Sequence, residues 1–478
     1  MTINEGVLKE PEWRIKVEDG VIWKTAETPH IMWTFIASLY FKLCEFMKKA
    51  WEIGVNDPRK FIHCLKVGIT LTVVSLFYYL NPLYDRVGGN AMWAVMTVVV
   101  VFEYTAGSTI YKGINRICGT TLAGLLAFGV HWVCSKAGEK FELVTVGVLL
   151  FLLASAATFS RFIPIIKARF DYGVMIFILT FSLVSISGYR IDELFDVAKA
   201  RISTILIGTS SCIIVSLIIR PVWAGLDLYV LVIRNFDKLA DSIQGCVAQY
   251  FEEQTSDEES NKKMIGYKSV LNSKATEEAM TNFARWEPPH GRFNFRHPWK
   301  QYLKIGATMR RCASCIEALN GCINSENKAS YDIKKTMSAP SMKVGANTAS
   351  VLRELAITIK TMTKSNKLDI LVIEMSNASQ ELQNILKSYP ITLNKNGTEV
   401  SYDEGKVEIP IMEIIQVVSV VALFNEIVVR VKDIVKCVEE LSNLAKFEPA
   451  ELSKCNKSKQ HLTDNKISPE QQNDEETK

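Results

Sequence analysis

Lys112, Arg116, Thr120, Ala123 and Ala127 recur at three- and four-residue spacing, so one face of a single helix carries two cations followed by a hydroxyl and small side chains. The arrangement returns twice: Arg201, Thr204, Gly208 and Ser211 share one face, and His63, Lys66 and Thr70 share another. Each cation stands at one end of a narrow stripe, beside a charge-free apolar run. An ionisable group at the centre of a membrane helix costs about 2.5–3.5 kcal/mol on insertion scales, so such groups face a bundle interior or a water path. Rings of Lys and Arg admit anions and reject cations. Taken singly, each residue could equally anchor a helix end in lipid headgroups. Repetition on three helices favours the anion path. Glu103 closes an apolar run beside Tyr104 and Gly107. It is read as a carboxylate paired with one of these cations, with gating as its alternative role.

Other chemistry is missing. There is no glycine-rich phosphate loop, so nothing points to ATP-driven pumping. Six histidines, at 30, 63, 131, 290, 297 and 461, lack metal-ligand spacing, and no metal or cofactor is expected. Cys312-x-x-Cys315 has no second pair and sits in a helical pattern with Tyr302, Ile305, Met309, Ile316 and Leu319, which reads as core thiols. The eleven cysteines show no framework spacing and are read as reduced. A net charge of +4 over 478 residues argues against bulk nucleic-acid affinity. No catalytic residues are expected.

The elements that must hold the stripes are long apolar helices. Charge-free windows run over 67–84, 87–102, 117–134, 143–160, 172–189 and 202–219, each near the roughly 18 residues that cross a hydrocarbon layer. The second is short and could extend into Glu103–Ser108. Six such windows joined by short loops define a six-span domain over 59–222. With the N-terminus inside, Lys48, Lys49, Arg59, Lys60, Lys66, Lys112, Arg116, Arg161, Lys167, Arg169 and Arg220 fall on the inner side. Arg86, Lys136, Lys140, Arg190, Lys199 and Arg201 fall on the outer side, so cytosolic termini are expected. Ahead of the first window, Ile31–Trp51 is apolar but interrupted by Lys42, Glu45, Lys48 and Lys49. An amphipathic helix on the membrane surface, within a cytosolic region 1–58, fits better than a seventh span. After Pro221, apolar residues return at helical spacing from Leu228 to Tyr250, then over about 265–283, 300–323, 346–363, 368–388 and 407–446. Ile409–Phe424 is read as a core helix because Glu413 and Gln416 interrupt it. The chain is therefore expected to be all-α, with a cytosolic helical domain over 223–450 and a polar, disordered tail over 451–478.

Several stretches are similar to one family. Val55-Asn-Asp-Pro-Arg-Lys-Phe-Ile-His-Cys-Leu-Lys-Val-Gly68 and Asn90-Ala-Met-Trp-Ala-Val-Met-Thr-Val-Val-Val-Val-Phe-Glu103 resemble the first spans of the plant aluminium-activated malate transporter family. Lys167-Ala-Arg-Phe-Asp-Tyr-Gly173, Phe177-Ile-Leu-Thr-Phe181 and Pro221-Val-Trp-Ala-Gly225 follow in the same order, and Arg285-Trp-Glu-Pro-Pro-His-Gly291 matches its Trp-Glu-Pro signature. The resemblance implies a homodimeric anion channel with six spans per subunit and a cytosolic helical domain, passing malate and often inorganic anions. It implies that Lys66, Arg116 and Arg201, with Lys112 and Arg190 beside them, coordinate the anion. Acidic residues implicated in sensing aluminium in some members would here be Asp192, Glu193 and Asp196, with Asp85 near them in topology. Many members do not respond to aluminium, so activation by it does not follow from the resemblance.

The expected mechanism is passive. A dianion crossing the full membrane field gains about 4.6 kcal/mol per 100 mV, so a negative cell interior drives efflux without ATP. The alternative is a secondary carrier coupling malate to protons through Glu103. The plasma membrane is expected over the vacuolar membrane.

Overall fold

A computed structural model of the chain describes residues 28–79, 91–137, 142–188, 194–252, 264–294, 297–324, 331–388 and 411–449. It divides into two units, Met1–Leu65 and Lys66–Lys478.

The first unit holds α1 (Thr28–Asn56) and the opening turns of α2 (Pro58–Tyr79). Asp57 separates them: its carboxylate accepts the Arg59 N–H at 3.3 Å, and Pro58 supplies a first helical residue that needs no donor. Every side chain from Phe35 to Ile53 on α1 is exposed.

In the second unit, helices occupy all six apolar windows: α2, α3 (Ala91–Val101), α4 (Ala106–Ala137), α5 (Glu142–Ser160), α7 (Asp171–Gly188) and α8 (Leu194–Ile218), with the short α6 (Pro164–Arg169) leading into α7. Ala106–Val133 and Arg201–Ile218 are long and apolar enough to cross a membrane, while Met92–Val101, Val144–Ser160 and Asp171–Ile186 form shorter apolar helices. Two apolar clusters hold the bundle together. Ala123, Ala127 and Val130 of α4 meet Phe177, Phe181 and Val184 of α7, flanked by Leu149 and Leu153 of α5. Val74 of α2 meets Ala94, Val98 and Val101 of α3 and Cys212 of α8. Small residues set the approach: a Cβ on Gly119 would stand 2.5 Å from the Gly173 carbonyl, so α4 and α7 touch backbone to backbone. Gly119→Leu should therefore separate the two helices and lower the thermal stability of the solubilised protein, with Gly124→Leu, which meets open space, as the silent control in the same melting experiment.

Two expectations about the apolar windows change. Helix α3 does not run on into Glu103–Ser108; it stops at Val101 and α4 starts afresh at Ala106. Thr105 is the cause, because its hydroxyl accepts the Ser108 N–H at 3.3 Å and caps a new helix. Helix α4 thus begins eleven residues before the third window, and α8 begins eight before the sixth.

The remaining helices form one apolar core: α9 (Ala224–Glu252), α10 (Tyr267–Leu271), α11 (Lys274–Ala284), α12 (Trp299–Ile323), α13 (Tyr331–Thr361), α14 (Leu368–Ser388) and α15 (Ile411–Leu444). The stripe Leu228, Val232, Phe236, Leu239, Ile243 and Val247 of α9 is fully buried, chiefly against α13. Val417, Val420, Val421 and Phe424 are buried as well, so that apolar stretch of α15 is a core helix. Polar ties fix the packing. Gln301 of α12 donates to the Cys437 carbonyl at 3.0 Å and to Glu440 at 2.8 Å, and Arg353 of α13 donates to Asp241 and Gln244 of α9, both at 2.8 Å. Glu277, fully buried, is held by Arg310 at 2.5 Å and Ser273 at 2.7 Å. The 346–363 pattern is the latter half of the longer α13, and 265–283 breaks at Asn272–Ser273 into α10 and α11. The strand content described is a two-residue parallel pairing of β1 (Thr363–Lys364) with β2 (Glu448–Pro449) and one isolated bridge, His290 to Phe293. Cys312 and Cys315 are free thiols, as is Cys246.

Candidate functional site

The three cationic stripes all turn inward. On α4, Arg116, Thr120, Ala123 and Ala127 are buried. On α8, Thr204, Gly208 and Thr209 are buried below Arg201, and on α2, Lys66 and Thr70 are buried. Because α4 and α8 start earlier than the apolar windows, their cations do not stand at helix ends. Arg116 lies ten residues into α4, about 15 Å along it, and Arg201 seven residues into α8, about 10 Å along it. Those extra turns place both cations within their helices rather than at the ends. Arg116 and Arg201 are close enough to repel each other.

Their partners are neutral. The Arg116 guanidinium donates to the Tyr172 hydroxyl at 3.4 Å, and its Nε is buried with no partner. Arg201 lies over the Trp93 ring of α3 at 3.9 Å, a cation–π contact. Lys66 donates its Nζ to the Arg220 carbonyl at 2.9 Å. Arg220 sits at φ +38°, the left-handed turn that ends α8 before Pro221 and presents that carbonyl. Among the described residues, none of these three cations has a carboxylate within ion-pair distance. The buried hydroxyls of Thr120 and Thr209 are also without partners. Thr209 packs where a Cβ on Gly113 would fall, which puts it at the α4–α8 contact. Desolvated positive charge beside unused hydroxyl donors is an environment that stabilises an anion.

Lys112 is different. It forms an ion pair with Glu103 and lies 5.5 Å from the Tyr172 ring centre, so its charge is answered within the protein. Asp85, Arg190, Asp192 and Glu193 lie outside the described residues, and Asp196 falls in the first turn of α8. Sequence reasoning did not find the contacts of Trp93 with Arg201 and of Tyr172 with Arg116. These contacts link different helices, and no spacing within one helix encodes them.

The Trp286-Glu287-Pro288 segment forms a second centre. Glu287 is 1% exposed and accepts the Ala224 and Gly225 N–H groups at 2.5 and 3.1 Å, capping α9. It also accepts the backbone of Gly107 in the first turn of α4. Around it Tyr111 packs on Phe283 and Trp286, each at 5.8 Å, and Trp223 stacks on His290 at 3.9 Å. A Cβ on Gly107 would strike the Phe283 carbonyl and the Glu287 side chain, which is why glycine stands there. Burial pushes the Glu287 carboxyl up to about 7, outweighing the three backbone donors that pull it down, and Asp227 adds to the rise. Burial pulls His297, which faces the Tyr302 hydroxyl at 3.1 Å, down to about 4.

An all-α chain that buries uncompensated cations among apolar helices has the make-up of a membrane protein handling anions. Residues 51–409 match the family described as aluminium activated malate transporter. The chain is 49% identical to aluminum-activated malate transporter 10 of Arabidopsis thaliana over 470 residues, covering 91% of this chain and 94% of that protein. It is 43% identical to aluminum-activated malate transporter 2 of the same plant, over 85% and 79% of the two chains. With aluminum-activated malate transporter 1 of Triticum aestivum it shares 38% identity over 89% and 91%. The chain belongs to the aluminium-activated malate transporter family.

Proposed function

We propose that the protein is a passive anion channel passing malate and inorganic anions across a plant membrane. Six spans over 59–222 form the conducting domain, residues 223–450 a cytosolic helical domain, and two copies assemble as a dimer. Lys66, Arg116 and Arg201 line the path, with Lys112 and Arg190 at its approaches. The plasma membrane is the proposed site, with both termini cytosolic, and Asp85, Asp192, Glu193 and Asp196 are the proposed extracellular carboxylates.

One observation carries this reading: Arg116 faces a phenol with its Nε buried and unpartnered, and Arg201 an indole ring, with no carboxylate answering either among the described residues. A protein that needed these charges only for its fold would pair them, as it pairs Lys112 with Glu103 and Arg161 with Asp171 at 2.8 Å. The pairing of Glu103 also removes the free carboxylate that a proton-coupled carrier would use. The names of the relatives supply malate as the anion.

Voltage clamp on cells expressing the chain tests the reading, with malate and then chloride exchanged across the membrane. The expected reversal potential follows the anion gradient and is indifferent to the proton gradient. A reversal potential that moves with pH at fixed anion gradient, in a fixed ratio, would replace the channel with a coupled carrier.

A further inference from the structure

We infer that α1 is an in-plane membrane anchor, immersed in the interfacial layer of an anionic leaflet with one polar edge facing water. This rests on the chain being a membrane protein and not on the identity of its cargo.

The charged side chains of α1 lie along one edge of the helix. At about 100° per residue, Ser38, Lys42, Glu45, Lys48, Lys49 and Glu52 fall within a sector of about 120°, interrupted only by the exposed Phe41. The other two thirds of the surface is apolar, including Phe35, Leu39, Leu43, Phe46, Met47 and Trp51, all exposed, with Trp51 at 76%. A helix that packs on a protein surface needs an apolar stripe of about 100°, as α9 shows with its single buried row. An apolar arc more than twice that width cannot be covered by one opposing face. Acyl chains can cover it, because they surround the helix from below and from both sides.

A seventh span is excluded by the same residues. The charges at 42, 45, 48, 49 and 52 sit in the middle and latter part of a 29-residue helix, leaving no stretch of about 18 apolar residues. The polar edge points to anionic lipid. Lys42, Lys48 and Lys49, followed by Arg59 and Lys60, outnumber Glu45, Glu52 and Asp57, and basic side chains on an interfacial helix are drawn to anionic headgroups. One residue of chain, Asp57, separates α1 from α2, so the tether makes the encounter with lipid effectively intramolecular.

The test uses the full chain reconstituted in vesicles of phosphatidylcholine and phosphatidylglycerol. An environment-sensitive fluorescent amino acid replaces Leu43 in one variant and Lys49 in another. The Leu43 site should be quenched by lipids brominated on the acyl chain and shielded from aqueous iodide, and the Lys49 site should show the reverse. Iodide quenching at Leu43 would put the helix in water, and shielding from both quenchers would put it under protein; either result overturns the anchor. Replacing Lys42, Lys48 and Lys49 with Glu should raise iodide access at Leu43 at least about twofold in these vesicles and leave it unchanged in pure phosphatidylcholine. An equal rise in both would overturn the choice of an anionic leaflet.

Discussion

Arg116→Ala should reduce anion current at least about tenfold while leaving the folded protein no less stable. The two halves of that expectation come from one arrangement. In a site built for folding, a buried cation is answered by a carboxylate, and deleting it strands the partner at a cost of about 3–5 kcal/mol. Arg116 has a phenol at 3.4 Å, an unpartnered Nε and a second guanidinium nearby. Its removal strands no charged partner, so the melting temperature should hold. An anion in the path loses the attraction instead. Two unit charges 4 Å apart interact by about 4 kcal/mol in a protein-like dielectric, which sets the ceiling for the loss. Current per surface-delivered protein, measured beside thermal unfolding in detergent, separates the outcomes. A current that survives intact, or a protein that unfolds, would remove Arg116 from the anion path. Arg116→Lys keeps the charge and should keep part of the current.

Glu287→Ala should do the opposite and destabilise the whole protein. The carboxylate satisfies backbone donors of Ala224, Gly225 and Gly107, and each buried donor left without an acceptor costs about 1–3 kcal/mol. The start of α9 loses its cap and the start of α4 a backbone partner, so melting temperature and surface delivery should fall jointly. Glu287→Gln isolates the charge. The folded carboxyl sits near 7 against 4.5 for an ordinary glutamate, so the folded protein holds its proton more tightly than the unfolded chain. The corresponding stability is complete below about pH 4.5 and is lost as pH rises through about 7. Wild type should therefore melt progressively lower from pH 5 to pH 8, and Glu287→Gln should lack that component. The neighbours that face this carboxyl are His290, whose Nε2 is 3.9 Å away, and Asp227 at the head of α9. A slope that persists unchanged in Glu287→Gln would remove Glu287 as its source.

The cationic faces were legible because helical period alone decides which residues share a side. Arg116 with Thr120 and Ala123, and Lys66 with Thr70, are buried as that period requires. What the residues do to one another was not legible. The apolar windows begin at Ile117 and Ile202, which suggests cations at helix ends, yet α4 and α8 take in polar turns that hydropathy discards. Thr105 capping α4 is a local signal that period counting overlooked. The Trp-Glu-Pro segment stood out as a pattern, but its partners are 62 and 63 residues away toward α9, and farther still toward α4. No short-range rule reaches that far. Core helices of the later half were easier, since α9, α12 and α14 each carry a strong single-faced pattern.

Two helices begin at Glu287, and their aligned peptide dipoles each present about half a positive charge there. Together they favour its ionised form, in opposition to the burial that pushes this carboxyl up to about 7. A balance made of backbone and closed to solvent is untouched by ionic strength, since counterions screen only what they can approach. Surface lysines and arginines enjoy no such protection when the anion concentration swings. The joint between the apolar bundle and the later helices is thus set by a charge that the transported species cannot reach, so the frame holds its shape whatever the traffic through it.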